Sequence, residues 1–347
     1  HTTAAGVGQV LATPATGAED ATGNITVTAG AASQLSIEDA ADGSGDPFPD
    51  PFVSTADDEV RFYAIARDAA GNFSGYEEAT WEWDSGCDDL GGLSVASGTS
   101  VKFTAAALGT CQLRATHGTL GTVTTGDVTV GPGEVASIDI LDASGAAVTA
   151  ALLKAGGTEC TGGACTDGCG TCALSVQGYD ADGNPAPAGS VDWSLTAPIG
   201  NVAPVSGSST VLTATTVGPG HVSASHSNGF VAQTGELTVE AGDLAEIQIQ
   251  NSSGQSPVQI SLLQGRTEEL FAVGLDAFDN PVGLTCANVN WTASAGDLSS
   301  ATGCSTIYTA SVAGAGHTVS VDSSDLSGSP DDSVTVNVVA GSIDELH

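Results

Sequence analysis

One short pattern occurs three times and constrains the fold of this 347-residue chain more than any other feature. In the middle copy, an alternating stretch at 174–179 leads into Asp180-Ala-Asp-Gly-Asn-Pro185, and Trp193 follows eight residues later. Period-two alternation predicts strands, and the Asp/Gly/Asn segment is typical of a tight turn. The other copies are Asp68–Asn72 with Trp83, and Asp276–Asn280 with Trp291. Active sites are rarely triplicated in one chain, so the pattern indicates a repeated building unit.

A second pattern marks the ends of these units. A period-two strand, a link that contains glycine and a further period-two strand recur about every 100 residues, which is the size of one β-sandwich. The link glycines of the four copies are Gly30, Gly133, Gly242 and Gly341. These junctions predict the C-terminal strands of a partial domain at 1–30, complete domains at 31–133, 134–242 and 243–341, and the first strand of a following domain at 342–347. We call the three complete segments repeat 1, repeat 2 and repeat 3.

Alternation within repeat 2 also predicts individual strands. They lie near 136–140, 173–179, 190–194, 209–214, 221–225 and 235–239. The best candidate helix, Ala146–Lys154, is weak because Val148 and Thr149 are β-branched and a glycine pair follows. Links of one or two residues predict stiff stacking of neighbouring repeats. We therefore predict an all-β chain of tandem β-sandwich domains stacked head to tail.

The two end segments need a partner, because an isolated strand pair is marginally stable in water. We expect either that the chain continues beyond these segments or that a neighbouring copy completes them by strand addition. Both alternatives predict a long assembly in which the partners are other copies of the chain.

The charge of the chain excludes several classes of partner. With 41 acidic and 6 basic residues, its formal charge is −35, and it lacks the clustered Lys and Arg that nucleic acid and anionic membrane surfaces require. Three explanations of the acidity stay open: a solvated surface, binding of divalent cations, and adaptation to high salt. No stretch approaches 18 uncharged apolar residues, so no transmembrane helix is predicted. The closely grouped cysteines indicate an oxidising, extracellular compartment.

The combination of strand, turn and tryptophan resembles the bacterial immunoglobulin-like repeats of invasin- and intimin-type adhesins and related surface proteins. The best matches are Asp182-Gly-Asn-Pro185 with Trp193, and Asp279-Asn-Pro281 with Trp291. The resemblance covers almost the whole chain, and it implies immunoglobulin-like sandwiches at a cell surface. Repeat 1 departs from the pattern, because no proline follows Asn72 and the segment 45–52 is inserted. The terminal lectin-like receptor domain of that family has no counterpart here.

Two pairs of cysteines each fall inside one repeat. Cys87 and Cys111 lie in repeat 1, and Cys286 and Cys304 lie in repeat 3. We predict that each pair forms a disulfide, which stabilises its repeat by about 2–4 kcal/mol. The alternative is buried free thiols.

The other four cysteines lie in a Gly/Thr-rich insertion of repeat 2. They are Cys160, Cys165, Cys169 and Cys172. Two local disulfides, in any of three pairings, would staple a protruding loop. The alternative is a tetrathiolate zinc site, although only Cys169 and Cys172 have the CxxC spacing that such sites use.

The repeated turns have some features of a calcium site. Asp180, Asp182 and Asn184 show the alternating carboxylate and carboxamide spacing that begins a calcium loop, and Asp276 and Asp279 are the equivalent residues of repeat 3. The glutamate that completes an EF-hand is missing, and Asp, Gly and Asn also form ordinary turns. Turn formation and Ca²⁺ binding both stay open, and no other cofactor is expected. A further acidic cluster or a proline-stiffened loop is formed by Asp39, Asp42, Asp46 and Asp50.

The remaining motifs carry less information. Sequons permit N-glycosylation in organisms that use it. They lie at Asn24, Asn72, Asn251 and Asn290. His221 and His317 occupy matching strand positions, which indicates a structural role. No nucleophile–base pair, HExxH pair, nucleophile elbow or phosphate loop is visible, so we predict that this segment is not an enzyme.

These observations predict a structural segment of an extracellular filament or adhesin stalk that assembles end to end. The Pro/Phe hairpin at 46–52 and the cysteine cluster at 160–172 are the predicted lateral contacts, because exposed aromatics and stapled loops stand out in this chain. The alternative is a carbohydrate- or receptor-binding accessory module of a large secreted or surface protein. That function requires an exposed aromatic platform.

Overall fold

A computed structural model describes residues 4–84, 90–326 and 331–341. They form two compact units, the first made of residues 1–138 with 177–188 and the second of residues 139–176 with 189–347. Almost every regular element is a β-strand, so the predicted all-β, immunoglobulin-like fold class is confirmed; two single turns of 3-10 helix lie at Thr161–Gly163 and Cys286–Asn288. None of the helices in the described part of the chain is long and apolar enough to cross a membrane.

Four short strands precede repeat 1 in the first unit. They are β1 (Gly6–Gly8), β2 (Leu11–Ala12), β3 (Asp20–Ala21) and β4 (Ile25–Val27). The strands β1 and β4 form one antiparallel pair, and β2 and β3 form another. Residues 4–30, as the structure describes them, therefore contain two strand pairs.

Repeat 1 lies in the first unit, and its described residues form twelve strands. They are β5 (Gln34–Glu38), β6 (Phe52–Thr55), β7 (Glu59–Arg67), β8 (Phe73–Tyr76), β9 (Ala79–Trp83), β10 (Gly91–Leu93), β11 (Ser97–Gly98), β12 (Ser100–Ala105), β13 (Gly109–Cys111), β14 (Leu113–His117), β15 (Gly121–Thr124) and β16 (Val128–Gly131). One sheet has the order β10-β12-β7-β5 and another β11-β9-β14-β15, while β13, β16 and β6 form a third. Alternate residues of these strands, such as Phe62, Phe103 and Leu113, are buried in one core.

The strands of repeat 2 agree with the predicted alternation. They are β17 (Ser137–Asp142), β18 (Ala150–Lys154), β19 (Thr171–Tyr179), β20 (Pro185–Ala186), β21 (Val191–Leu195), β22 (Gly200–Ala203), β23 (Ser206–Gly207), β24 (Ser209–Ala214), β25 (Gly218–Gly220), β26 (Val222–His226), β27 (Val231–Gln233) and β28 (Glu236–Glu240). The candidate helix at 146–154 is wrong, because β18 pairs in parallel with β28 and buries Ala151 and Leu153 on alternate positions.

Repeat 3 lies in the second unit. Its strands are β29 (Glu246–Asn251), β30 (Gln259–Leu263), β31 (Thr267–Leu275), β32 (Pro281–Val282), β33 (Val289–Ala293), β34 (Asp297–Leu298), β35 (Ser305–Thr309), β36 (Gly314–Ser323) and β37 (Asp332–Val339). Two sheets, β29-β31-β35-β34 and β30-β37-β36-β33, enclose a core that includes Ile247, Trp291 and Tyr308.

The last strand of each repeat has the same two kinds of neighbour. On one side it pairs in parallel with an early strand: β16 with β6, β28 with β18, and β37 with β30. On the other side it pairs antiparallel with a strand that contains glycine, and the registers Gly109↔Val130 and Gly218↔Val239 match. The pair β1 and β4 has this register too, with Gly6 opposite Val27.

Tryptophan occupies equivalent core positions in all three repeats, but in repeat 1 the residue is Trp81. The indole nitrogens of Trp81, Trp193 and Trp291 donate to the carbonyls of Gly98, Gly207 and Gly303 in the neighbouring segments, at 2.8–3.0 Å. The expectation that Trp83 is the counterpart is therefore wrong. Trp83 packs at the edge of the same core, with its ring centroid 4.9 Å from that of Phe103. Both side chains point to one face because they are two residues apart in a strand.

The hairpin at 46–52 does not present its aromatic rings to solvent as expected. Phe48 and Phe52 are half-buried and pack against the core of repeat 1. The centroid of the Phe48 ring lies 4.4 Å from that of Phe62 and 5.1 Å from that of Phe52. The rings pack against the core because the insertion leads into β6, and β6 pairs with β16 at the edge of this core.

Candidate functional site: the aspartate and asparagine at each link

The repeated turn of repeat 2 closes on the side chain of its first residue. The backbone N–H of Asp180 donates to the carbonyl of Asn184 at 3.0 Å, and the N–H of Gly183 donates back to the carbonyl of Asp180 at 3.2 Å. The Oδ1 atom of Asp180 accepts the N–H groups of Asp182 and Asn184 at 3.1 and 2.8 Å. An aspartate side chain that bonds the backbone of its own turn is ordinary turn chemistry, and glycine supplies the left-handed residue, with φ 85°.

The same two side chains also reach outside the turn. The amide nitrogen Nδ2 of Asn184 donates to the Asp180 carboxylate, at 2.9 Å from Oδ2, and to the carbonyl oxygen of Ala106 in repeat 1, also at 2.9 Å. The Oδ2 atom of Asp180 accepts the N–H of the link glycine Gly133 at 3.0 Å. One aspartate and one asparagine therefore connect the turn of repeat 2, the link before it and a loop of repeat 1.

Repeat 3 contains the same arrangement. The Oδ2 atom of Asp276 accepts the N–H of Gly242 at 2.7 Å and the Asn280 side-chain amide at 2.8 Å. The Asn280 amide nitrogen also donates to the carbonyl of Thr215 at 2.8 Å, and its Oδ1 accepts the N–H of Val217 at 3.1 Å. Asn280 thus forms hydrogen bonds with both a carbonyl acceptor and an N–H donor of the preceding repeat.

In repeat 1, the same arrangement contacts the segment that precedes the repeat. The Oδ2 atom of Asp68 accepts the N–H of Gly30 at 2.8 Å and the Asn72 amide at 3.0 Å. The Oδ1 atom of Asn72 accepts the N–H of Ala5 at 2.8 Å. We call each set of aspartate, asparagine and link glycine a clamp. The three clamps are Asp68–Asn72–Gly30, Asp180–Asn184–Gly133 and Asp276–Asn280–Gly242.

The clamp carboxylates are buried, but hydrogen bonds favour their ionised form. Asp68, Asp180 and Asp276 are at most 6% exposed. Hydrogen bonds from the Asn72 side chain and from the Gly30 and Asn72 N–H groups hold the pKa of Asp68 far below its usual range. Burial raises the pKa values of Asp180 and Asp276, but the N–H donors around each carboxylate outweigh it and leave both values lowered. The clamps therefore hold anions at neutral pH.

The link glycines differ in how much space they have. A methyl group on Gly242 would collide with the carbonyl oxygen of Ala155, and one on Gly133 would collide with the carboxylate of Asp57. On Gly30, the nearest atoms to such a group belong to Asp68, at 3.5 Å, which is ordinary contact. Glycine is thus sterically required at the third link, where the obstacle is backbone; at the second link the exposed Asp57 side chain would have to move, and at the first link there is room.

The residues predicted to bind calcium are divided between two environments. The carboxylates of Asp180 and Asp276 face N–H donors, which stabilise an anion and do not act as metal ligands. Asp182 and Asp279 are exposed at the tips of their turns, and Asn184 directs its amide to repeat 1. No group of three His, Cys, Asp or Glu side chains within the described ranges is placed to hold a metal ion. Calcium binding stays a prediction.

The cysteines of repeats 2 and 3 form disulfides. Cys160 pairs with Cys169 and Cys165 with Cys172, with Cα–Cα distances of 5.1 and 5.0 Å, so no thiolate is left for the alternative zinc site. Cys286 pairs with Cys304 at a Cα–Cα distance of 4.7 Å. Cys111 of repeat 1 is also in a disulfide; its predicted partner, Cys87, lies outside the described residues, as does the predicted strand at 342–347.

The acidic segment of repeat 1 does not gather its carboxylates into one site. Asp39 accepts the N–H of Asp46 at 3.2 Å, Asp42 that of Ser44 at 3.0 Å, and Asp50 that of Asp127 at 3.1 Å. A buried ion pair holds the loop instead. The Arg67 guanidinium makes a two-pronged contact with the fully buried Glu38, at 2.6 and 2.7 Å, and donates to the Gly43 carbonyl at 3.2 Å.

The predicted glycosylation and histidine positions have different surroundings. The Nδ2 atom of Asn72, to which a glycan would be joined, donates to Asp68, whereas Asn24 and Asn290 are exposed and half-buried Asn251 closes a turn to Ser253. His221 is held by the carbonyl of Thr234, 3.0 Å from its Nδ1. His317 is half-buried on β36, and its ring lies close to Gly314.

Sequence reasoning found both halves of the clamp but not their contact. The Asp/Asn turn and the link glycine were each visible as repeated motifs. Their separation varies, from 34 residues between Gly242 and Asp276 to 47 between Gly133 and Asp180. The signal that was available is the constant pairing of one turn with one glycine in every repeat.

Several solved structures of surface proteins are similar to this chain. No protein-family model and no curated protein matches the chain. Among solved structures, FdeC, an adhesin of Escherichia coli, is 17% identical with a TM-score of 0.39, covering 90% of this chain and all of its own. Invasin, a bacterial integrin-binding protein, is 12% identical with a TM-score of 0.31, covering 88% of this chain and 60% of its own. Domains 1–6 of the surface layer protein SbsC are 19% identical with a TM-score of 0.27, covering 93% and 42%.

Proposed function

We propose that this chain is a structural, non-catalytic segment of an extracellular filament or adhesin stalk built from tandem immunoglobulin-like domains. The observation that carries the proposal is the recurrence of one clamp at three successive links. A binding or catalytic site gains little from being repeated in this way, whereas a load-bearing array needs every link to be restrained.

The clamp restrains a link by two separate contacts. The aspartate holds the link glycine through a charge-assisted hydrogen bond, which is about twice as strong as a neutral one. The asparagine spans from the turn to a loop of the preceding repeat, as Asn280 does with Thr215 and Val217. Both contacts must break before the link can bend, so we expect neighbouring repeats to keep a fixed angle.

Two further features support a role outside the cell. Disulfides persist in oxidising, extracellular surroundings, and the described cysteines are all bridged. The formal charge of −35 keeps parallel assemblies apart or lets cations bridge them. Other copies of the chain are the proposed partners, joined by strand addition or through a continuous chain.

Electron microscopy of the native material without denaturant tests the proposal. We expect uniform filaments with an axial repeat of several sandwich lengths. Dispersed short rods or globular particles would overturn the filament role. A screen for glycan binding would then follow, although Trp81, Trp193 and Trp291 are buried and Trp83 is half-buried, so none is available as a platform.

A paired variant tests the contribution of the clamps to stiffness. In Asn184→Ala/Asn280→Ala, two links lose their asparagine contacts, and we expect a wider spread of angles between neighbouring repeats in class averages. The matched control, Asn251→Ala/Asn290→Ala, removes two asparagines away from the links. Equal angular spread in both proteins would contradict the proposed role of the clamps.

A further inference from the structure

Each repeat has an edge strand whose outer side faces no other strand. These edge strands are β6, β18 and β30, and in the described part of the chain each pairs with the last strand of its own repeat alone. β6 and β18 have this arrangement although a further repeat follows each of them, so the open side does not depend on where the chain ends. An exposed edge is a template for pairing with another chain, and proteins usually protect it.

Repeat 1 protects its edge with a proline and an aspartate. Alternate residues of a parallel strand bond to the same neighbour, and the N–H of Ala56 donates to the Gly131 carbonyl at 3.0 Å, so Thr55 faces outward. The N–H of Thr55 donates to Oδ2 of Asp58 at 2.7 Å. Pro51, which precedes the strand at an outward position, has no N–H. The edge of β6 therefore presents few free donors to another chain.

Repeat 2 covers its edge with the loop that carries its two disulfides. The N–H of Leu152 donates to Oδ1 of Asp167 at 2.9 Å, and the Leu152 carbonyl accepts the N–H of Gly168 at 2.7 Å. The N–H of Lys154 donates to the carbonyl of Cys169 at 2.8 Å. The stapled loop therefore occupies the outer side of β18, where another chain would otherwise pair.

Repeat 3 has no such cover on its edge. The N–H of Gln264 donates to the carbonyl of Val339 at 2.8 Å, so the outward residues of β30 are Gln259, Ser261 and Leu263. Among the described residues, none accepts a hydrogen bond from the N–H groups of these three. Of the three edges in the described structure, that of β30 is therefore the unprotected one.

The surroundings of this edge favour contact with a chain of the same charge. No charged residue lies within 247–265, in a chain whose formal charge is −35. Val258, which precedes the strand, is 89% exposed. Arg266 closes the turn after the strand as Asp58 does in repeat 1, but a guanidinium has no acceptor with which to cap the edge. Two copies can therefore bring these edges together with little electrostatic repulsion.

We infer that the outer edge of β30 pairs with the same edge of a second copy of this chain, antiparallel and across a two-fold axis. Ser261 is the middle one of the three outward residues, so the axis places it opposite the partner's Ser261 and places Gln259 opposite the partner's Leu263. The outward N–H and carbonyl groups then bond between the copies, and the four-stranded sheets of both copies join into one. An isologous contact of this kind uses one surface twice and closes as a dimer. The inference goes beyond the proposed function, because it adds a lateral contact to an assembly that is proposed to form end to end.

Sedimentation of the intact chain at increasing concentration tests the pairing. We expect dimers, with slower hydrogen exchange of the Ser261 and Leu263 amides as the dimer forms. Ser261→Pro removes an outward N–H at a place where edge strands tolerate proline, and we expect at least about tenfold weaker dimerisation. The matched control Ser261→Thr keeps the N–H and should dimerise as the unmodified chain does.

A second pair of variants keeps the test decisive if Ser261→Pro disturbs the fold. Ser261→Lys places two like charges opposite each other at the axis and should also weaken dimerisation by at least about tenfold. Ser305→Lys adds the same charge at an exposed residue of the other sheet of repeat 3 and should leave dimerisation unchanged.

Cross-linking determines the direction of the paired strands. Residues directly opposite each other in an antiparallel pair are close enough for a disulfide. A mixture of Gln259→Cys and Leu263→Cys chains should therefore cross-link on mild oxidation, whereas neither variant alone should do so.

Each outcome has a definite meaning. A chain that stays monomeric up to about 1 mM would overturn the inference, as would dimers that Ser261→Pro and Ser261→Lys leave intact. Cross-linking of Gln259→Cys with itself would also overturn it, because that requires parallel strands. Dimers through β30 without filaments in native material would support the inference and reject the proposed function. Filaments of a chain that does not pair through β30 would do the reverse.

Discussion

The carboxylate of Asp276 accepts the backbone N–H of Gly242 at 2.7 Å, across 34 residues of chain. The acceptor is a buried anion in a turn of repeat 3, and the donor belongs to the link that precedes the repeat. Asn280 lies against the same carboxylate and contacts the preceding repeat. The properties of the link therefore depend on a few atoms whose removal has measurable effects.

Loss of the asparagine should destabilise the third link. In Asn280→Ala, the Thr215 carbonyl and the Val217 N–H lose their partner, and Asp276 loses a donor. The Asp276 carboxylate is buried, and a hydrogen bond to a charged group contributes about 1.5–3 kcal/mol, so we expect a decrease of this size in the free energy of unfolding. Chemical denaturation measures it. The exposed control Asn290→Ala should change stability by less than about 0.5 kcal/mol, and equal effects of both substitutions would contradict the clamp.

The link glycines should respond differently to alanine. In Gly242→Ala, the new methyl group collides with the backbone carbonyl of Ala155, so the link must shift and the Asp276 contact must lengthen. We expect a clear decrease in melting temperature. Gly30→Ala has its nearest neighbour at 3.5 Å and should be neutral or slightly stabilising. Differential scanning calorimetry compares the two, and an equal loss in both proteins would show that steric fit at the link is unimportant.

Acid should weaken the clamps. The pKa of Asp276 in the folded chain lies below its ordinary value of 3.8, so the carboxylate contributes stability at higher pH. That contribution is lost as pH falls below about 4 towards the folded pKa. We expect the stability difference between the unmodified chain and Asp276→Asn to shrink over this range. Asp279→Asn, a change at an exposed residue of the same turn, is the matched control.

A pH-independent difference between the unmodified chain and Asp276→Asn would contradict the assignment of the charge to the clamp. The amide chemical shift of Gly242 offers a direct readout. It should titrate with the Asp276 carboxylate in the unmodified chain and stay constant in Asp276→Asn.

The disulfides should contribute according to the length of chain that they close. The Cys286–Cys304 bridge spans 18 residues, and its removal in Cys286→Ser/Cys304→Ser should cost about 3 kcal/mol. The two bridges of repeat 2 span 9 and 7 residues and should each contribute about 2.5 kcal/mol. Peptide mapping of the unreduced chain should recover Cys160 with Cys169 and Cys165 with Cys172. Any other pairing would overturn this arrangement of the loop.

Calcium titration decides between the two explanations of the repeated turn. Because N–H donors already surround the carboxylates of Asp180 and Asp276, we expect Ca²⁺ and Mg²⁺ to change the melting temperature equally, through screening alone. A larger, saturable effect of Ca²⁺ that is absent in Asp182→Asn/Asp279→Asn would support the calcium site. Treatment with a chelator before the titration provides the baseline.

The longer strands could be predicted because alternation is a local property of the sequence. The predicted strand at 209–214 coincides with β24, and the one at 173–179 differs from β19 by two residues at its start. The short strands β20, β22, β23, β25 and β27 could not be predicted. They have two to four residues, and Gly, Ala and Ser in them give little contrast between a buried and an exposed face.

The contacts between elements are harder to predict from the sequence. Alternation places Trp81 and Trp83 on one face but cannot decide which enters the centre of the core; their cross-strand neighbours decide this, and Trp81 lies opposite Ala115. Likewise, the motifs of the clamp were visible, but nothing local joins Gly133 to Asp180. Such contacts depend on where the complete sheet positions the ends of its strands.

The order of the clamp residues along the chain has a consequence for biosynthesis. Each link glycine is held by a turn that lies later in the chain, 38, 47 and 34 residues after it in the three clamps. A chain that leaves a ribosome or a secretion channel with its N-terminus first therefore presents every link before the residues that lock it. Under the proposed function, each emerging repeat restrains the link before it, so restraint extends along the nascent chain in the direction of synthesis.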